Sequence, residues 1–140
     1  MTCVAYRDGW IASDSLTLHN ESTHSIAEVK IRKLGNCLVG MSGDVPSWRS
    51  IEEWFAIDQR SDRFKDYDFE LMIIAPNCSI FVIDHRGIMD CINEPYWAIG
   101  CGAAGAMIAM DLGHSARQAV ASAIRRIPGC GGRIHQLRLP

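Results

Sequence analysis

The sequence predicts an α+β domain built from two antiparallel sheets with helices packed outside them. Three observations lead there. Short apolar segments recur between tight-turn signals, and strands joined by tight turns run antiparallel. Helical periodicity is confined to residues 46–57, 103–112 and 116–127, so the order is strands, helix, strands, helices, strand. The chain has 140 residues, 48% of them hydrophobic. A chain of that size reads as a single domain over 1–140, able to bury roughly 68–70% of its unfolded surface. Two sheets with helices outside would cover both faces of each.

Taken in order, residues 2–6 (Thr-Cys-Val-Ala-Tyr) read as a strand and Arg7-Asp8-Gly9 as a hairpin turn, with Asp-Gly as the strong signal. Residues 10–13 return as a second strand ending at Asp14. The polar stretch 19–25 reads either as a surface loop or as a ragged pair of edge strands. Residues 29–34 alternate as a strand, Gly35-Asn36 turns, and 37–42 form a buried strand. Asp44-Val45-Pro46 opens a helix, with Asp44 as N-cap candidate and Pro46 in the first turn. Trp48, Ile51, Trp54 and Phe55 recur on it at helical spacing. The charged run 58–68 is a solvated loop. Strands follow at 69–75 and 79–84 around a Pro76-Asn77 turn, then at 88–92 after His85-Arg86-Gly87, and at 96–100. Gly100-Cys101-Gly102 leads into a helix of small residues over 103–112. Ser115 caps the next helix, 116–127, whose apolar face is Ala119, Val120, Ala123, Ile124 and Ile127. Pro128-Gly129-Cys130-Gly131-Gly132 breaks it, and 133–139 alternate as a last strand.

Composition excludes several classes. The net charge is −2 and the basic residues are scattered apart from Lys30-Ile31-Arg32-Lys33 and Arg125-Arg126, so there is no basic field for nucleic acid. No stretch reaches the ~18–20 apolar residues of a membrane span, and no basic start followed by an apolar run marks a signal peptide. The six cysteines (3, 37, 78, 91, 101 and 130) form no CxxC pair and sit mostly among apolar residues. That suits reduced thiols packed as small hydrophobes in a cytoplasmic protein. The five histidines (19, 24, 85, 114 and 135) show no ligand spacing, so neither a metal nor another cofactor is expected.

The N-terminus is where chemistry concentrates. Thr2 follows Met1, and an initiator Met before a small residue is normally trimmed. Trimming leaves an α-amine with a reference pKa of ≈ 7.7–8.0, so a single residue holds both a hydroxyl nucleophile and a base. Lys30 lies on a strand that could pair alongside the first. Its ammonium would favour the ionised hydroxyl, with Asp14 holding it in place. Gly43, between a strand end and a helix start, offers an N–H for an oxyanion.

Five segments occur in order: Thr2; Ile11-Ala12-Ser13-Asp14-Ser15; Lys30-Ile31-Arg32-Lys33-Leu34; Leu38-Val39-Gly40-Met41-Ser42-Gly43-Asp44; and Ala98-Ile99-Gly100-Cys101-Gly102. Together they resemble the proteasome β-subunit and the bacterial HslV peptidase, and more closely still the short proteasome-like proteins of bacteria and phages. The likeness covers nearly the whole chain. It implies an N-terminal-nucleophile (Ntn) hydrolase with a four-layer αββα sandwich. Thr2 would be the nucleophile, Asp14 and Lys30 the supporting charges, and the Gly43 amide the oxyanion donor. Met41 would help floor the pocket for a substrate side chain, and Thr17-Leu18 would bind substrate backbone. The resemblance further implies a peptide or unfolded-protein substrate, a homo-oligomer such as a ring, and an ATP-dependent unfoldase as partner. Three departures stand out. Cys101 replaces the Ser of the family's Gly-Ser-Gly, and the first hairpin is short. A long helical insertion and part of the C-terminal region are missing, with no counterpart of the later Asp and Ser near Gly131-Gly132-Arg133. Two alternatives stay open beside the threonine peptidase: an inactive structural or binding subunit, and an Ntn hydrolase of small amides.

Overall fold

The computed structural model describes residues 2–19, 22–44, 46–57 and 63–140. The elements are β1 (Val4–Arg7), β2 (Trp10–Ser13), β3 (Thr17–His19), β4 (Ser22–Ser25), β5 (Ile31–Leu34), β6 (Cys37–Gly43), α1 (Trp48–Ile57), β7 (Phe69–Ile74), β8 (Ile80–Asp84), β9 (Met89–Ile92), β10 (Tyr96–Ile99), α2 (Ala103–Asp111), α3 (Ala116–Arg126) and β11 (His135–Arg138). The predicted α+β class and element order hold. Met1 and residues 58–62 of the charged run lie outside the described residues.

Every strand pairing described is antiparallel. One sheet runs in the order β10-β1-β2-β11, another in the order β5-β6-β7-β8-β9, and β3-β4 form a separate hairpin. Asp8 and Gly9 both take positive φ, 51° and 82°, as a two-residue hairpin turn with matching strand twist requires. The five-stranded sheet is a meander in which each strand pairs with its successor. The four-stranded sheet instead draws its strands from both ends of the chain.

Side-chain alternation sorts the core into three clusters. Cys3, Ala5, Ala12 and Ala98 pack one face of the four-stranded sheet against Ala106, Ala109 and Met110 of α2 and Ala119, Val120 and Ala123 of α3. Val4, Tyr6, Ile11 and Ile99 point the other way and meet Ile31, Leu38, Met72, Ile74 and Ile80 of the five-stranded sheet. Val39, Met41, Leu71, Ile73 and Ile83 face away from that seam and meet Ile51 and Trp54 of α1. Trp54 also stacks edge-on with Phe64 and Phe69, centroids 5.6 and 6.1 Å away. Such pairs add about 0.5–1.5 kcal/mol each beyond burial. Where the sheets meet, Gly40 keeps them close: a Cβ there would lie 2.5 Å from Val4 Cγ1.

Several expectations are corrected. α1 starts at Trp48, and Ser47 rather than Asp44 caps it, its Oγ accepting from the Ser50 N–H at 3.3 Å. Asp44 instead donates its own N–H to the Asp68 carbonyl at 2.8 Å. Gly43 is therefore the end of β6 with a four-residue link before the helix, not the neighbour of a helix N-terminus. The strand after Lys30 belongs to the five-stranded sheet, so it does not pair alongside β1. Its burial is not a plain alternation, because Arg32 and Lys33 are both exposed on a strand at the sheet's edge. Of the two readings of 19–25, the ragged strand pair is the one observed at residues 19 and 22–25, with a register shift between Thr17 and Leu18; residues 20 and 21 lie outside the described residues. Among the thiols only Cys3 and Cys130 are buried, while Cys78, Cys91 and Cys101 are exposed. Ser115 caps α3 as expected, in a reciprocal box with Gln118.

Candidate active site

Asp14 is the centre around which the site is built. It follows β2, is fully buried, and receives three donors. The Cys3 N–H and the Lys30 Nζ reach its Oδ1 at 3.0 and 2.9 Å, and the Gly131 N–H reaches Oδ2 at 3.1 Å. Two of these come from backbone because the strands place them there: Asp14 N–H returns to the Cys3 carbonyl at 3.1 Å, extending the β1–β2 pairing past the assigned strand ends. A buried carboxylate with three donors keeps its charge satisfied.

Lys30 is 4% exposed. Its backbone is fixed by the Met41 N–H, which donates to its carbonyl at 2.9 Å. From the five-stranded sheet its side chain reaches across to Asp14, and its Nζ also donates to the Leu16 carbonyl at 2.6 Å. The ammonium thus joins the two sheets at the mouth of their seam.

Thr2 precedes β1 and is 4% exposed. Its carbonyl accepts from the Gly102 N–H at 3.1 Å. Gly100, at φ +94°, packs so close to that carbonyl that a side chain there would collide with it. The Gly100-Cys101-Gly102 turn therefore braces the backbone of Thr2.

These parts open on a cleft of ≈ 650 Å³ lined by Thr2, Thr17, Leu18, Lys30, Met41 and Gly43, together with His19, Glu28, Asp44 and Asp68. The fold thus brings six predicted residues to one cleft and sets Asp14 directly behind it. Cys101 is the exception: it does not line the cleft, and its Sγ lies 3.7 Å from Cys130 Sγ. The sequence reading missed His19, Glu28, Asp44 and Asp68. Asp44 was read as a cap and Asp68 as part of a solvated run; no spacing signal singles out Glu28. Because Asp14 neutralises Lys30, the three exposed carboxylates leave the cleft wall negative. Among the described residues no group of three or more His, Cys, Asp or Glu side chains could hold a metal ion, and no helix is long and apolar enough to cross a membrane.

No family model and no curated protein matches the chain. Solved structures do. HslV from Trypanosoma brucei superposes with a TM-score of 0.72 at 16% identity, covering 98% of this chain and 98% of that one. BPH of Thiobacillus denitrificans gives 0.65 at 18% identity, covering 99% of this chain and 98% of that one. Its complex with epoxomicin gives 0.67 at 19% identity with the same coverage. The chain has the proteasome/HslV-like fold implied by the ordered motifs.

Proposed function

We propose that the protein is an amide-bond hydrolase of the Ntn type, a threonine peptidase whose nucleophile is Thr2 once Met1 is removed. The observation that carries this reading is the convergence on one cleft of Thr2, Gly43 and a Lys30 ammonium held at 2.9 Å by a buried Asp14. A free hydroxyl is a weak nucleophile, and this cleft offers what it lacks. The α-amine of Thr2 takes the hydroxyl proton, and the oxygen attacks the substrate carbonyl. Lys30 stabilises negative charge on Thr2 Oγ, and the Gly43 amide takes the developing oxyanion. The proton passes to the leaving amine, giving an ester on Thr2. Water, deprotonated by the same amine, then releases the acyl group.

In this reading Met41 floors the pocket for a substrate side chain, Thr17 and Leu18 bind substrate backbone, and Cys101 stands where the family has Ser. The three core clusters, with helices on the outer sides of both sheets, support the αββα layering. Exposed Ile108 and Leu112 at the end of α2 support self-association, with a ring, an unfoldase partner and a peptide or unfolded-protein substrate as the fuller form of the proposal.

The test is Thr2→Ala. Peptide hydrolysis by the trimmed wild type should be lost in the variant with little change in folding, since Thr2 belongs to none of the three hydrophobic core clusters. Epoxomicin, which BPH binds in its complex structure, should be retained by the wild type and not by Thr2→Ala. Hydrolysis unchanged in Thr2→Ala would overturn the mechanism. One observation favours the inactive-subunit alternative: Cys101 turns its thiol toward Cys130. An intact mass showing Met1 wholly retained would decide for that alternative, because the α-amine would be locked in a peptide bond. Turnover of small amides but not peptides would decide for the small-amide hydrolase.

A further inference from the structure

Three of the six cysteines meet behind Thr2. Cys3 is fully buried beside Gly102, where an added Cβ would lie 2.7 Å from Cys3 Cβ and 3.0 Å from Cys130 Sγ. Cys130 is 7% exposed and Cys101 is exposed, with their sulfurs 3.7 Å apart. Both cysteines are flanked by glycine, in Gly100-Cys101-Gly102 and Gly129-Cys130-Gly131-Gly132. Gly100, Gly129 and Gly132 hold positive φ, and glycine is the residue whose backbone adjusts most freely. The sulfurs need to approach from 3.7 Å to about 2.05 Å for a bond.

We propose that Cys101 and Cys130 are a redox pair that a peroxide converts to an internal disulfide. The Cys101 thiolate attacks one peroxide oxygen; the S–O bond forms, the O–O bond breaks, and the departing hydroxide is protonated to water. Cys101 is then a sulfenic acid. Cys130 loses its proton and attacks that sulfur; the S–S bond forms, the S–O bond breaks, and a second water leaves. Two thiols lose two electrons in total and the peroxide gains them. Exposure makes Cys101 the residue that meets the oxidant, and a sulfur 3.7 Å away makes Cys130 the resolving thiol.

The placement gives the bond a consequence. The residue after Cys101 donates its N–H to the Thr2 carbonyl at 3.1 Å, and the residue after Cys130 donates to Asp14 Oδ2 at 3.1 Å. The disulfide would tie together the two turns that brace the nucleophile candidate and its buried carboxylate. This chemistry stands whether or not Thr2 is catalytic.

The experiment uses the full chain, reduced and then treated with equimolar hydrogen peroxide, denatured, alkylated and mapped by mass spectrometry. The expected result is an intact mass lower by two hydrogens, a Cys101–Cys130 linked peptide, and recovery of both alkylation sites after dithiothreitol. Cys130→Ala should stop at a sulfenic acid on Cys101, trapped by a 1,3-diketone. The proposal is overturned if Cys101 and Cys130 are both still alkylated after oxidant, or if the bond formed joins either to Cys3, Cys37, Cys78, Cys91 or a second chain. The wild-type map decides the matter without any substitution.

Discussion

Asp14 and Lys30 differ in what each would leave behind. Asp14→Ala takes the carboxylate away from a buried ammonium and strands the N–H groups of Cys3 and Gly131. Breaking a buried pair in this way costs about 3–5 kcal/mol, which urea denaturation would read directly. Lys30→Ala leaves Asp14 with both backbone donors, so its stability loss should be smaller. Its turnover should fall by about 10²–10³-fold if the ammonium stabilises charge in the transition state. Wild-type rates in Lys30→Ala would remove that role. The buried thiols set a different limit. Burial pushes Cys3 well above the ordinary value of 9.0 and Cys130 up to about 12. As pH climbs, the unfolded chain therefore releases thiol protons that the folded chain still holds. Stability is full below about pH 9 and declines above it. Melting temperatures taken from neutral pH to about pH 10 should show that decline, and Cys3→Ala should flatten it whatever its own starting stability.

At the scale of elements, the most local signals were the most legible. Ser115 and Gln118 form their capping box from four consecutive residues, and Ser115→Ala should cost about 1 kcal/mol in a denaturant titration. Asp8-Gly9, Gly35-Asn36 and Pro76-Asn77 each turn where their residue types require. Asp44 misled because Asp and Ser compete for the same capping role, and Ser47 sits one residue before the first helical turn. The residue leading into β5 misled because Lys30 is buried there, its ammonium paired with Asp14 behind β2. Gly40 is legible as a glycine but not as a spacer, since its neighbours Val4 and Ile11 belong to distant strands. Gly40→Ala should cost about 1–3 kcal/mol through overpacking. Adding Val4→Ala should recover part of that loss, because the clash is with Val4 Cγ1.

For the whole molecule, the order of motifs carried the fold while the walls of the cleft stayed hidden. Thr2, Asp14, Lys30 and Gly43 could be tied to one another by chemistry before any geometry was known. Glu28, Asp44 and Asp68 enter the cleft from separate loops, and loop placement follows from packing rather than from any local pattern. The pairing of β1 with β10 was equally unreadable, because those strands are joined through nearly the whole meander. That arrangement has a bearing on how the protein is made. The meander can zip as it leaves the ribosome, each strand finding the one just before it. The sheet beneath Thr2 has to wait for residues near both ends. About 130 residues separate β1 from β11, or roughly 6–26 s of synthesis. Through that interval the first residues have no finished sheet to sit in, whereas in the completed fold Thr2 is 4% exposed. Removal of Met1 would then be a matter of timing: a methionine aminopeptidase added to folded, Met-bearing protein should act far more slowly than on the same chain in urea-unfolded form. The nascent chain, rather than the finished fold, would be where Thr2 is uncovered.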